Sequence, residues 1–220
     1  MGIRKIPKGA GSLTGYFYSV LNRRLIPFES LLERDFFLTL EFASNISSYD
    51  SQPLEIVRRV GKTDRKYYPD CLIQHTIAST KPHLLVEVKH SKDLENPKKK
   101  DAILERMTIS ERYAAEQGWD FKMVTDRDIC GVRLENFRFL YKYSESPEAL
   151  PNCRDKIFDL FQKHSRMSVA DIVGTLAGTF LERAMILPCI WHLVRCHHLS
   201  TDLLIPLTNQ SMLEGSNVEN

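Results

Sequence analysis

RKYYPDCLIQHTIASTKPHLLVEVKHSK, residues 65–92, is the stretch whose reading decides the fold. Two runs rich in apolar and β-branched residues, 66–76 and 83–90, flank the turn-forming residues 79–82 and are expected to be strands. Residues two apart on a strand share a face, so Glu87 and Lys89 project together with Leu85, while Val86 and Val88 enter the opposite layer. Antiparallel pairing across the loop brings Asp70, which follows Pro69, near Glu87. Two carboxylates side by side repel each other unless a cation lies between them. Hard oxygen ligands in that arrangement suit Mg²⁺, which takes one or two carboxylates and keeps several waters. Such an ion generates hydroxide and stabilises a pentacovalent phosphate, and a nearby ammonium such as Lys89 neutralises phosphate or lowers the pKa of the attacking water. This is the logic of a metal-dependent phosphodiesterase. The bare pattern also reads as a turn acid followed by an exposed ion pair, and it is the surrounding elements that favour the catalytic reading.

Upstream, Ser30-Leu31-Leu32-Glu33 spells a capping box ahead of Leu32, Phe36, Phe37 and Leu40, predicting a helix over 31–43. Glu33 is expected to serve both as the reciprocal cap and as a further acid at the site. Glu41 stands about 12 Å further along that helix, too far for both to reach one centre. Segments 15–20 and 25–28 flank Asn22-Arg23-Arg24 and predict a hairpin with a basic turn able to touch phosphate. Residues 49–60 predict the first of three strands. After the polar stretch 91–101, with its run Lys98-Lys99-Lys100, a helix is expected over 101–117, ending at Gly118. A short strand at 121–125, a loop at 126–129 and a helix carrying Leu134, Phe137, Leu140 and Tyr141 complete the order α-β-β-β-α-β-α.

A break at 144–151 divides the chain into expected domains 1–145 and 146–220. Beyond it, helices are expected at 153–163, 168–176 and 180–197, the last kinked or split by Pro188. A small hairpin of 203–205 with 211–213 would then give a winged-helix-like module. Cys189, His192, Cys196 and His197 are zinc-ligand types, but they fall in an apolar helix at the spacing of no known finger, so a core role is preferred. The segment 187–194 is apolar enough to anchor a partner, and the tail 211–220 is expected to fray.

Charge is unevenly spread. Residues 1–100 carry 17 Lys and Arg against 11 Asp and Glu, whereas 101–220 carry 13 against 17, so a polyanion meets the first half more readily. No apolar run reaches the length of a membrane span, and MGIRKIPKGAGS has positive charge without an apolar segment after it. Five scattered cysteines, Cys71, Cys130, Cys153, Cys189 and Cys196, argue against a disulfide framework. A cytoplasmic protein is expected.

The runs SLLERDFFLTLEF, YDSQPLEI, YYPDCLI, LLVEVKHSKDL and ERYAAEQGWDFKMVTDRDI, in this order over about 14–142, resemble the TnsA endonuclease subunit of heteromeric bacterial transposases. The resemblance implies an α/β fold: a restriction-endonuclease-like PD-(D/E)xK core with a mixed sheet flanked by helices, plus a small, mostly helical winged-helix-like C-terminal domain. It implies catalytic Glu33, Asp70, Glu87 and Lys89, with Mg²⁺ (or Mn²⁺ as a substitute) held by Glu33, Asp70, Glu87 and the backbone carbonyl of Val88. Some relatives carry Gln where Glu87 stands, and a proline common after the lysine is replaced here by His90. The residues expected to hold DNA are Arg23, Arg24, His90, Lys92, Lys98, Lys99 and Lys100. In that family the subunit cuts the 5′ strands at transposon ends, a TnsB-like recombinase cuts and joins the 3′ strands, and a TnsC-like ATPase couples both to target choice. The setting implied is bacterial, nucleoid-associated in action and without membrane. A stand-alone restriction- or resolvase-like nuclease would share the same acids, whereas a non-catalytic DNA-binding adaptor would tolerate their loss.

Overall fold

The turn of residues 20–23, held by Asn22 N–H donating to Ser19 Oγ at 2.9 Å, folds the first strand pair back on itself. In the computed structural model, which describes residues 13–60 and 62–215, β1 (Gly15–Ser19) pairs antiparallel with β2 (Arg24–Phe28). Arg23 sits at the turn with φ 53°. Helix α1 (Leu31–Leu40) starts where its capping box predicts, with Ser30 Oγ accepting the Glu33 N–H at 3.2 Å. It stops short of residue 43 because Glu41, Phe42 and Ala43 close a turn. The face bearing Leu32, Phe36, Phe37 and Leu40 is buried, and Phe37 stacks on Tyr49 of β3 (Ile46–Ser51) at 5.4 Å.

Two corrections follow for the expected strands. The segment 49–60 is not one strand: β3 ends at Ser51, and β4 (Ile56–Val60) pairs instead with β5 (Thr63–Tyr67) in a separate two-stranded ribbon. Arg58, Arg59, Lys62, Arg65 and Lys66 leave that ribbon without the apolar faces that a sheet covered on both sides requires. The segment 66–76 is likewise divided, by Tyr68 and by Pro69, which has no N–H to give a ladder, and β6 (Cys71–His75) begins after Asp70.

β7 (Leu84–Lys89) forms as expected, followed by the short helix α2 (Ser91–Glu95), α3 (Pro97–Glu116), β8 (Asp120–Thr125) and the turn-long helix α4 (Asp126–Ile129), where a loop was expected. Helix α3 starts before residue 101 because Asn96 caps the Lys98 N–H at 3.0 Å and Pro97 suits the first turn. The sheet runs β3-β6-β7-β8, antiparallel except for the parallel β7/β8 pair, with α1 and α3 packed against β7. It is the expected mixed sheet flanked by helices. β7 is consequently buried from Leu85 to Val88. On the α3 side Leu72, Leu85 and Ala114 pack together, covered by Leu54, Tyr113, Trp119 and Phe121.

Glu41 ties the hairpin to this sheet. Its carboxylate accepts from Ser19 Oγ at 2.5 Å, Leu21 N–H at 3.0 Å and Tyr49 Oη at 2.8 Å, while only 6% of the residue is exposed. Burial and the charge of Glu41 hold the Tyr49 phenol well above its ordinary range. Glu41→Ala is expected to cost about 3 kcal/mol, because several buried donors lose their acceptor together. Urea denaturation followed by fluorescence checks this value.

The first compact unit ends at Cys130 and the second begins at Gly131, ahead of the expected boundary at 145, since α5 (Val132–Tyr141) packs on α8 (Phe180–Arg195). Between them come α6 (Leu150–Lys163), β9 (Arg166–Ser168) and α7 (Val169–Leu176). β10 (Leu199–Ser200) and β11 (Met212–Gly215) complete a sheet of order β10-β11-β9. Residues 203–205 are not a strand. The Leu203 and Ile205 carbonyls accept from Asn136 Nδ2, and Asn136 Oδ1 accepts the Leu207 N–H, so the backbone of this turn is satisfied without a ladder.

Helix α8 continues through Pro188 as one element. Ile190, Trp191, Leu193 and Val194 are buried, with Trp191 edge-on to Phe139 at 5.1 Å, so the segment 187–194 is core and not a partner's anchor. The exposed apolar side chains of this helix are Phe180, Leu181 and Met185. His192 Nδ1 lies 2.8 Å from the Tyr143 carbonyl and Cys189 Sγ donates to the Met185 carbonyl at 3.2 Å, consistent with the core role expected for this stretch. The segments 1–12 and 216–220, read above for charge and fraying, lie outside the described residues. Among the described residues no helix is long and apolar enough to cross a membrane.

Candidate active site

The end of β6 nearest Asp70 and the end of β7 nearest Lys89 lie together because the strands are antiparallel, with Cys71 opposite Val86. Asp70 therefore sits at the foot of β6, facing the last residues of β7. Its Oδ2 accepts the Val88 N–H at 2.7 Å and a Lys89 Nζ proton at 2.8 Å. The same ammonium stands 3.0 Å from Glu87 Oε2 and donates to the Val88 carbonyl at 3.0 Å. Two carboxylates and one carbonyl thus converge on a single positive charge.

Burial makes this arrangement electrostatically tense. The Glu87 carboxyl is pushed up to about 8, first by burial and then by the negative charge of Asp70. Burial alone would lower the Lys89 pKa, but Asp70 and Glu87 outweigh it and hold the group firmly as an ammonium. Cys71 is also driven upward by burial and by neighbouring acids, so it is an inert thiol and not a nucleophile.

The oxygens fit a hard divalent cation that takes two carboxylates, a carbonyl and several waters. Among the described residues no three His, Cys, Asp or Glu side chains gather closely enough to hold a metal, so Glu33, expected as a ligand beside Asp70 and Glu87, is not brought into one cluster with them.

Residues 43–126 match the family model described as TnsA-like endonuclease N terminal. This stretch is a TnsA-like endonuclease domain. Comparison with the curated proteins gives no match.

The matched part of the TnsA-like domain carries Asp70, Glu87 and Lys89 but stops short of Glu33 on α1. The Glu33 carboxylate is engaged in the helix cap, accepting the Glu29 N–H at 3.0 Å and Ser30 Oγ–H at 2.9 Å. It nevertheless feels the site. Burial first, then the charge of Asp70, raises it to about 7, while the two cap bonds and Lys89 pull the other way.

His90 has φ −70° and ψ 134°, a backbone that proline would also adopt, so the residue expected as proline fits this path without strain. Asp126 at the end of β8 fixes that path by accepting the Ser91 N–H at 2.5 Å and Ser91 Oγ–H at 3.1 Å. The first of these bonds holds its carboxyl below the usual range.

Sequence reasoning did not single out Gln52. It is buried, adopts φ 44°, gives its N–H to the Asp70 carbonyl at 3.1 Å, and has an amide oxygen without a hydrogen-bond partner. A left-handed glutamine beside an acid of the site is a strained residue in a functional neighbourhood, and nothing in the sequence signals it.

Among the basic residues, Arg24 is paired with Asp50, and Arg23 is exposed at the hairpin turn. Lys92 is exposed on α2, while Lys98, Lys99 and Lys100 occupy the exposed first turn of α3 and not a loop, with Lys99 on Asp93 at 2.7 Å.

Proposed function

We propose that this chain is the metal-dependent DNA endonuclease subunit of a heteromeric transposase, cutting the 5′ strands at transposon ends. The observation that carries the reading is the convergence of Asp70 Oδ2, Glu87 Oε2 and the Val88 carbonyl on Lys89 Nζ within a TnsA-like domain. Asp70, Glu87 and the Val88 carbonyl would hold Mg²⁺, with Mn²⁺ as a substitute, and Glu33 would act beside them through the electric field it shares with Asp70. When bound, the ion supplies a Lewis acid that activates water and shields phosphate charge.

The chain supplies the rest. The Val88 N–H donates to Asp70 Oδ2 and so orients the carboxylate at the strand end. Lys89, kept protonated by both acids, offers a fixed ammonium to a phosphate oxygen or to the attacking water. A cation bound at these oxygens would compete with the Glu87 proton, since burial and the Asp70 charge raise that carboxyl. Exposed Arg23, Lys92, Lys98 and Lys100, with His90, Lys99 and Arg24 beside them, are assigned to the DNA backbone.

In the second unit the order α6-β9-α7-α8-β10-β11, with β11 central in its sheet, supports a winged-helix-like module. The resemblance assigns it to the assembly with TnsB-like and TnsC-like partners.

The test is strand-specific cleavage of a labelled transposon-end duplex by the full chain, with and without recombinase and ATPase, in Mg²⁺ or chelator. Cutting of the 5′ strands only in the complete Mg²⁺ reaction is expected. Full-rate cutting by the chain alone would instead establish a stand-alone nuclease, and binding without any cutting an adaptor.

A further inference from the structure

The ribbon β4–β5 takes no part in the site described above and, among the described residues, is the most basic exposed element of the first unit. Residues 56–67 carry five Lys and Arg against one Asp. Their cross-strand register sets Arg58 directly opposite Arg65, a like-charge pair that destabilises an isolated ribbon. Arg65 reaches Glu105 only at 3.8 Å, and Lys66 is held by Glu55 at 2.8 Å. Among the described residues, Arg58, Arg59 and Lys62 have no carboxylate within ion-pair distance, and all three are exposed. A surface that leaves Arg58, Arg59 and Lys62 outside any ion pair among the described residues, although Asp64 stands opposite Arg59 in the register, and sets two arginines facing each other is arranged for a polyanion.

Its position says which one. The ribbon leaves the sheet after Ser51 and returns at Asp70, where Ser51 pairs with Cys71 and the Gln52 N–H bonds the Asp70 carbonyl at 3.1 Å. Both feet therefore stand at the proposed catalytic acid. A strand of five residues spans about 17 Å, half of the roughly 34 Å helical repeat of duplex DNA. The geometry points to the β4–β5 ribbon as a DNA arm: Arg58, Arg59 and Lys62 contact backbone phosphates within about half a turn of the scissile bond. The assignment rests on the nuclease reading for the nature of its ligand, and adds the element that registers the duplex on the site.

The probe is a short fluorescein-labelled duplex titrated with the full chain in chelator, so that no cutting occurs, over a series of salt concentrations. In the Arg58→Ala, Arg59→Ala, Lys62→Ala variant the slope of log K against log salt falls by about 2 to 3, roughly 0.9 for each phosphate no longer neutralised. The Arg58→Lys, Arg59→Lys variant keeps the wild-type slope, which separates an effect of charge from an effect on folding. Amide exchange of the wild-type chain slows over 56–67 on adding duplex. An unchanged slope in the triple variant, or no protection of the ribbon, overturns the arm. If the wild type cuts ends while the variant's slope is unchanged, the arm alone fails and the nuclease stands. If the ribbon is protected by duplex but the complete reaction never cuts, the nuclease reading fails and the arm stands.

Discussion

Asp70→Ala is expected to lower the proposed Mg²⁺-dependent cutting by at least about a thousandfold, the loss expected when a central electrostatic group of a phosphoryl-transfer site is removed. One oxygen of Asp70 holds both the Val88 N–H and Lys89, so its removal leaves that N–H unpaired and Lys89 with Glu87 as its remaining carboxylate. The unpaired N–H costs about 1–3 kcal/mol. Relief of the Asp70 charge on Glu33 and Glu87 offsets part of this, and the variant stays folded. Glu87 then titrates below the value of about 8 that it has beside Asp70. Asp70→Asn keeps an acceptor for Val88 but not the charge, so it shares the catalytic loss with a smaller cost to stability. Cleavage rates, urea denaturation and carboxyl-carbon NMR titration report the three effects. Cutting by Asp70→Ala at the wild-type rate would refute the site.

The second large effect is on stability against pH. Glu33 and Glu87 titrate at about 7 and about 8, above the 4.5 of an unperturbed glutamate. The folded state therefore retains protons that the unfolded state has released. Their contribution is complete below pH 4.5 and is lost as the pH rises through about 7 and then about 8. Lys89, raised above the ordinary lysine range, contributes steadily over this whole window. Metal-free protein should lose several kcal/mol between about pH 5 and about pH 9, at about 1.4 kcal/mol for each pH unit and group. Glu87→Gln should flatten the upper part of the curve. Mg²⁺ should stabilise the wild type increasingly as the pH rises, since it binds the deprotonated acids. Chemical denaturation at a series of pH values checks both, and a flat metal-free profile would contradict the electrostatic account of the site.

Asp70, Glu87 and Lys89 were legible because the period of two in β7 fixes which side chains share a face, and the loop length lets β6 and β7 pair. The capping box told of α1 and of the first role of Glu33. The ribbon was hidden, because Ile56, Val57 and Tyr67 carry strand propensity, and propensity does not say which strand a residue pairs with. The early start of α3 was hidden behind lysines, although Asn96-Pro97 spells a cap followed by a first-turn proline. In the second unit, the pairing of β11 with both β9 and β10 joins residues far apart in sequence, and strands of two to four residues give too little periodicity to read. Gln52 could not be foreseen, since its left-handed backbone is imposed by its neighbours.

The ribbon leaves and rejoins the sheet at adjacent points, Ser51 and Cys71 being partners in the ladder. Lengthening an excursion whose two ends already touch costs only a slowly growing loop-closure entropy and disturbs no rung of β3, β6 or β7. Evolution can therefore resize, recharge or exchange this segment while Asp70, Glu87 and Lys89 stay where they are. Chains that share one chemistry could thus diverge in the DNA they engage by trading a dozen residues, and a graft of a foreign ribbon between Ser51 and Asp70 is the natural route for redirecting such an enzyme.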